Sequence, residues 1–146
     1  MTTTVTVQFL PDYTYAQLLT AGHHACVADE PEDQGGDDLG PGPYDLLLWA
    51  LGACTAMTLL MYARRKGWPL EDVAVELSHD RRHVDDCEDC EKDAAGRIEV
   101  IERRIALRGD LDDEQRAKLL EIAGRCPVSR TITRKPKIVD SLIAGP

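Results

Sequence analysis

An uncharged run of eighteen residues, 46–63 (LLLWALGACTAMTLLMYA), constrains this chain more than any other feature. A run of this length is at the lower limit for a transmembrane helix, and the basic residues 64–66 follow it as a cytoplasmic flank would. Glycine, cysteine and threonine lower its hydrophobicity, however, and the rest of the chain shows amphipathic patterns that need an apolar partner. We therefore interpret the run as a fully buried central helix that ends at Gly67, with Pro69 beyond it. The alternative, a membrane-anchored protein, predicts extraction only with detergent.

The length and charge of the chain limit the remaining possibilities. The 146 residues fit one domain, 1–146, that is large enough to bury a core without metals or disulfides. The net charge of −9 argues against nucleic-acid binding and against adhesion to anionic membranes. The first residues, MTTTVTVQF, lack a basic segment followed by a long apolar core, so we expect no signal peptide and a cytoplasmic location. The five cysteines are then expected to be reduced thiols.

The pattern before and around the apolar run predicts several strands. Residues 3–9 alternate and are rich in β-branched side chains, which is typical of a strand. Residues 15–19 and 23–28 resemble a hairpin, and residues 30–43 form a long loop rich in Gly, Pro and acid. Residues 73–77 predict a further strand that continues into SHDRRHV. Its acidic flank, DDCEDCEKDAAG, is read as a turn or insertion.

The last third of the chain predicts another strand and a second helix. In residues 97–107 (RIEVIERRIAL), β-branched residues are interspersed with charged ones, a pattern that predicts a strand. Asp112 and Gln115 have the spacing of a capping box, so a helix is expected to begin there. Leu119, Ile122 and Cys126 would then share one helix face. The tail, residues 131–143, is expected to be an edge strand or short helix, and the whole pattern is that of an α+β protein.

Two cysteines stand in distinctive surroundings. Cys54 lies midway along the apolar run, where a lone cysteine is most simply a small packing residue. Cys126 opens the motif CPVSRT, and Pro127 disfavours a helical Cys126 but suits the first position of a new helix. Cys126 is therefore a candidate N-cap, where free N–H groups lower the pKa of a thiol, and Arg130 could add to that effect. Cys26, on a predicted strand, is interpreted as structural.

A third cysteine motif offers a possible metal site. His79, His83, Cys87 and Cys90 form the pattern HxxxHxxxCxxC, and imidazole and thiolate are good zinc ligands. The acidic residues around the two cysteines favour an exposed loop instead, and a redox-active dithiol is the remaining alternative.

Taken together, the two distinctive cysteine motifs resemble one known family. The segments GPGPYDLLLWALGACTAM and LLEIAGRCPVSRT, with GWPLEDVAVEL between them, resemble the osmotically inducible protein C / organic hydroperoxide resistance (OsmC/Ohr) family over roughly residues 22–132. The signature PYDLLLWALGACTAMT is closer to one branch of that family than to its best-studied peroxidases. The resemblance implies an OsmC-like fold with curved antiparallel sheets packed on two long central helices. It also implies an intertwined homodimer with its reactive sites near the interface.

The resemblance implies a specific redox chemistry. Cys54 would attack the O–O bond of an organic hydroperoxide and become a sulfenic acid. Cys126 would condense with it to a disulfide, which an external dithiol would reduce by exchange, without a metal or an organic cofactor. An apolar wall for the substrate could come from Leu47, Leu48, Leu51, Met57 and Met61. The leading hypothesis is therefore a cytoplasmic thiol-dependent peroxidase, probed most simply with cumene hydroperoxide.

The chain departs from the family's peroxidases at two positions. Those proteins carry a glutamate directly after the helix-opening proline, whereas Pro43 is followed here by Tyr44 and Asp45, which are candidate supporting residues in its place. They also use an arginine from an earlier strand to hold the peroxide, but the first arginine here is Arg64. His23 or His24 lies in the corresponding region and is a candidate substitute. The alternative function is a non-enzymatic protein of the same fold that binds zinc through HxxxHxxxCxxC, or a small apolar ligand.

Overall fold

A computed structural model describes residues 2–83, 87 and 90–145 of the chain. The predicted acidic turn at 85–96 lies partly outside these residues. The chain divides into two compact units, Met1–Trp49 and Ala50–Pro146. The chain contains helices together with two antiparallel sheets, so the predicted α+β class is confirmed.

The first unit is built on a three-stranded antiparallel sheet. Its strands β1 (Thr6–Phe9), β2 (Gln17–Ala21) and β3 (His24–Ala28) are adjacent in that order, which confirms the predicted strand and hairpin. Gly22 turns the hairpin with a φ of 60°, a left-handed conformation that glycine adopts without steric cost.

The loop after β3 is organised by a buried carboxylate rather than being simply solvated. Asp29 accepts hydrogen bonds from the backbone N–H groups of Glu30, Asp37 and Leu39, at 2.8, 3.2 and 3.2 Å. A 3-10 helix, Glu32–Gln34, lies within this loop. Asp29 is therefore a buried structural residue of this loop, unlike the solvated acidic side chains that a loop of this composition predicts.

The apolar run lies in a helix longer than the run itself. Helix α1 spans Pro43–Lys66 and crosses the boundary between the two units. Pro43 suits the first helical position, and the Asp45 carboxylate accepts the Gly42 N–H at 2.9 Å. Gly67, with a φ of 68°, follows the last residue, as predicted.

Helix α1 is buried on one face only, so the prediction of a fully buried helix is wrong for the single chain. Its buried residues are Leu51, Gly52, Thr55, Leu59 and Ala63, which recur mainly at intervals of four. The opposite face is apolar as well, yet Trp49, Met57 and Met61 are 62%, 57% and 67% exposed there. Among the described helices, α1 is long and apolar enough to cross a membrane, a property that core helices of soluble proteins share.

In the second unit two long strands form an antiparallel pair. Strand β4 spans Leu70–Arg82 and β5 spans Ile98–Gly109, with Leu77 opposite Arg103. Both strands alternate between exposed and half-buried residues, because successive side chains point to opposite faces of a sheet. The strands predicted at 73–77 and 97–107 are confirmed.

Two short helices complete the second unit. Helix α2 spans Asp113–Ala123, and the predicted capping box between Asp112 and Gln115 is present in both directions. Its 11 residues make it shorter than the second long helix that was expected. Helix α3 spans Pro127–Thr133, and the described residues after Arg134 form no helix or strand, so the tail prediction holds only for α3.

The core of the second unit lies between α1, α2 and the strand pair. Its buried members are Leu59, Ala63, Leu111, Leu119, Ile122 and Ala123. Side chains from β4 and β5, including Val73 and Ile105, pack against this cluster. Cys126 lies beyond the end of α2, so its predicted place on one helix face with Leu119 and Ile122 is wrong.

We predict that truncating the core side chain of α2 destabilises the fold and truncating its neighbour does not. Leu119 is fully buried, so Leu119→Ala should lower the free energy of unfolding by about 2–5 kcal/mol. Leu120 is 65% exposed, so Leu120→Ala should change it by less than about 0.5 kcal/mol. Urea unfolding followed by circular dichroism measures both variants. Equal decreases in the free energy of unfolding for the two variants would contradict the assignment of Leu119, and not Leu120, to the core.

Candidate functional site

Cys126 caps the N-terminus of α3 with its side chain. Its backbone is extended, with φ −62° and ψ 142°, as a residue before proline should be. The Cys126 sulfur accepts the backbone N–H of Ser129 at 3.4 Å. The N-cap role predicted from CPVSRT is therefore confirmed.

Cys54 reaches the same helical turn from α1. Its sulfur accepts the backbone N–H of Val128 at 3.5 Å, and its side chain is one of the groups that lower the pKa of Cys126. These two cysteines, 72 positions apart in sequence (126 − 54), thus lie together at the first turn of α3. The helix supplies each sulfur with an N–H group that would otherwise lack a partner.

A threonine and an arginine adjoin the sulfur pair. The Thr55 hydroxyl is fully buried and lies 3.8 Å from the Cys126 sulfur. The Arg103 guanidinium, from β5, donates to the Thr55 hydroxyl oxygen at 2.9 Å. The site therefore joins α1, β5 and α3.

The surroundings of Cys126 favour its thiolate. Burial by itself raises the pKa of this thiol, because an apolar environment disfavours charge. Hydrogen bonds from the Ser129 N–H, then from Thr55 and Cys54, act in the opposite direction. The positive charge of Arg103 adds to them, and the pKa of Cys126 is lowered from its ordinary value.

The two sulfurs differ in their access to solvent. Cys54 is half-buried, whereas Cys126 has an exposed fraction of 0%. A reagent arriving from solvent therefore meets Cys54 first. The arrangement suits a reaction in which Cys54 is modified from outside and Cys126 then attacks it from within.

The four supporting residues proposed from the sequence lie in different places. Asp45 binds the Gly42 N–H at the start of α1, and Tyr44 is exposed on the first turn of the same helix. His24 is exposed on β3, where its ring contacts that of His23 at 4.0 Å between centroids. Arg130 is exposed on α3. The arginine that lowers the pKa of Cys126 is Arg103, not Arg130.

The residues expected to form an apolar wall have different degrees of exposure. Leu51 is buried and belongs to the core-facing side of α1, and Leu48 is half-buried. Leu47, Met57 and Met61 are exposed on the helix surface. Cys26, interpreted as structural, is exposed on β3 and so is not a core residue.

The HxxxHxxxCxxC residues are not assembled as a metal site. Cys87 and Cys90 form a disulfide, and the His79 ring hydrogen-bonds to Glu99. Within the described ranges no three His, Cys, Asp or Glu side chains form a group that could hold a metal ion. A disulfide removes the two thiolates that zinc would need, so zinc binding by the reduced motif stays a prediction.

Sequence reasoning missed Thr55 and Arg103. Thr55 could have been noticed because it is the polar member of the four-residue spacing shared with Leu51, Leu59 and Ala63. Arg103 could have been noticed because strand alternation places it among Ile101, Ile105 and Leu107. A charged residue on an apolar strand face is a signal for a specific partner.

The fold and this site define an α+β protein with a pair of thiols at a helix N-terminus. The family model described as OsmC-like protein matches residues 35–139, most of the chain. The chain therefore belongs to the OsmC-like family, as the resemblance predicted. No curated protein sequence matches it significantly.

Several solved structures share this fold. The OsmC-like protein of Mycoplasma pneumoniae is 16% identical, with 91% of this chain and 88% of that chain covered and a TM-score of 0.70. An organic hydroperoxide resistance protein OsmC from Legionella pneumophila is 19% identical, with coverages of 90% and 89% and a TM-score of 0.63. The organic hydroperoxide resistance protein OhrB of Bacillus subtilis is 22% identical, with coverages of 92% and 92% and a TM-score of 0.57. At these identities the comparisons show the fold.

We predict that the two sulfurs react with an alkylating reagent at different rates. In the native reduced protein, iodoacetamide should modify Cys126 roughly tenfold or more slowly than Cys54, because a buried thiol reacts only after local opening. Peptide mapping by mass spectrometry over time gives both rates. In urea the two rates should converge. Faster modification of Cys126 than of Cys54 in the native protein would contradict the burial described here.

Proposed function

We propose that this protein is a thiol-dependent peroxidase that reduces organic hydroperoxides through Cys54 and Cys126. The observation that carries the proposal is the meeting of an accessible sulfur and a buried sulfur on one helical turn. Membership of the OsmC-like family supports it, as do the names of the similar structures from Legionella pneumophila and Bacillus subtilis.

The first step takes place at Cys54, the accessible sulfur. Its thiolate attacks the distal oxygen of the hydroperoxide and breaks the O–O bond. The departing alkoxide takes a proton and leaves as an alcohol, and Cys54 becomes a sulfenic acid. The N–H of Val128, 3.5 Å from the Cys54 sulfur, holds that sulfur at the first turn of α3 during the attack.

The second step uses the buried sulfur. The Cys126 thiolate attacks the Cys54 sulfur, so that an S–S bond forms and the S–O bond breaks. The released hydroxide takes a proton and leaves as water. Contacts that lower the pKa of Cys126 raise the fraction of its reactive form at neutral pH.

The third step restores both thiols. An external dithiol exchanges with the Cys54–Cys126 disulfide and leaves as a disulfide itself, which supplies the two electrons that the hydroperoxide consumed. Cys54 is the sulfur that such a reductant can reach, because Cys126 is fully buried. No metal or organic cofactor enters these steps.

We predict distinct consequences for substitutions of the three free cysteines. Cys54→Ser should abolish reduction of cumene hydroperoxide, because the attacking sulfur is lost. Without a reductant, Cys126→Ser should consume about one equivalent and stop at a Cys54 sulfenic acid that dimedone traps, whereas the parent stops at the Cys54–Cys126 disulfide. Cys26→Ser is the matched control, since Cys26 is exposed on β3, and should retain full turnover with dithiothreitol. Undiminished turnover in Cys54→Ser would exclude the proposal.

We also propose that a second copy of the chain covers the exposed face of α1, in a homodimer. Met57 and Met61 lie on that face, and apolar patches of this kind are rare on soluble monomers. Like-charge repulsion between two copies is least where no charged residue stands, and residues 46–63 carry none.

We predict that a charge on this face dissociates the dimer. Met61→Glu would bury an unpaired carboxylate at the interface, so it should raise the dissociation constant of the homodimer by at least about tenfold. Leu120→Glu, at a similarly exposed position on α2, is the control and should leave the dissociation constant unchanged. Sedimentation equilibrium without detergent measures both. A wild-type protein that stays monomeric, or that requires detergent, would contradict the homodimer.

A further inference from the structure

Arg103 lies among apolar residues on the half-buried face of β5. Its neighbours on that face, Ile101, Ile105 and Leu107, are half-buried like Arg103 itself. The arginines on the opposite, outer face of β5 have acidic partners: Arg104 pairs with Glu76 at 2.9 Å, and Arg108 pairs with Glu71 at 2.6 Å. Within the described part of the chain, Arg103 forms no ion pair with a carboxylate.

The contact that Arg103 does make is with the Thr55 hydroxyl, at 2.9 Å. The same hydroxyl oxygen lies 2.7 Å from the Leu51 carbonyl oxygen and 3.8 Å from the Cys126 sulfur. A hydroxyl has one proton and two lone pairs, and the guanidinium donates to one of those lone pairs. Its proton can therefore go either to Leu51 or to Cys126, but not to both.

The protonation state of Cys126 decides between these two arrangements. When Cys126 is a thiol, its S–H donates to the second lone pair of Thr55, and Thr55 donates to the Leu51 carbonyl. When Cys126 is a thiolate, it has no proton to give, so the Thr55 hydroxyl turns and donates to the sulfur. Arg103 donates to the hydroxyl in both arrangements and strengthens the donor that faces the thiolate.

We propose that Arg103 is a positioning residue for the attack of Cys126 on Cys54, acting through the Thr55 hydroxyl. The attack itself belongs to the proposed peroxidase cycle, on which this part of the inference rests. The groups that face the Cys126 sulfur are Thr55 and Cys54 from α1, the Ser129 N–H from α3 and, one hydroxyl away, Arg103 from β5. Arg103 is the one positive charge in this set.

The test compares Arg103→Met with Arg104→Met in a background where Cys126 is the only cysteine. Thiolate absorbance at 240 nm, followed against pH, gives the pKa of Cys126 directly. Arg103→Met should raise this pKa. Arg103→Lys should raise it less, because a lysine keeps the charge but not the planar geometry of arginine. Arg104→Met should leave it unchanged, since Arg104 is on the outer face.

A second measurement uses the otherwise native sequence. After one equivalent of cumene hydroperoxide, Arg103→Met should form the Cys54–Cys126 disulfide about tenfold more slowly than the parent, because less Cys126 is thiolate. The rate of hydroperoxide consumption in that single turnover should not change. Thr55→Val removes the hydroxyl that links Arg103 to Cys126 without altering Arg103. It should likewise raise the pKa of Cys126 and slow disulfide formation, and it provides the test if Arg103→Met does not fold.

The two proposals fail in different ways. A parent protein that forms no disulfide would end the peroxidase proposal, while the pH titration would still report on Arg103. A Cys126 pKa that is the same in the parent, Arg103→Met and Thr55→Val would overturn the role of Arg103. Equal slowing of disulfide formation by Arg103→Met and Arg104→Met would overturn it as well.

Discussion

The site depends on how α3 begins. Pro127 cannot donate a backbone hydrogen bond and holds the preceding residue in an extended conformation, so the chain arrives at the helix with the Cys126 side chain over its first turn. The N–H groups of Ser129 and Val128 then have two sulfurs as acceptors, one from Cys126 and one from Cys54. The local turn thereby fixes the position of the reactive pair, and α1 needs only to bring Cys54 within reach.

Helix α1 has one face that packs into the core and an opposite face that is exposed, and both matter for the position of Cys54. Thr55 and Leu59 on the packed face are fully buried, which fixes the rotation of this part of α1 within the second unit. That rotation leaves Cys54 half-buried between the two faces. A helix buried on all sides within one chain would have hidden Cys54, so the partial burial matters to the proposed chemistry as much as to the proposed homodimer.

Local signals in the sequence predicted the ends of the elements well. Asp112 with Gln115, Gly67 after α1 and Pro127 after Cys126 each act through contacts within a few residues, which a sequence displays directly. The burial of α1 could not be predicted in the same way, because it depends on which distant strands and helices reach each face. The link from Arg103 to Cys126 was missed for that reason, since β5 and α3 meet only in three dimensions. The family resemblance supplied the pairing of Cys54 with Cys126, which spacing alone could not.

If Cys54 and Cys126 act as one redox pair, they are the first cysteines to be joined when the protein is oxidised, and disulfide mapping detects this. Fully reduced protein is mixed with one equivalent of cumene hydroperoxide, quenched within seconds and digested for mass spectrometry. We expect a Cys54–Cys126 bridge as the first product. Oxidation confined to Cys87 and Cys90, with Cys54 still a thiol, would contradict it.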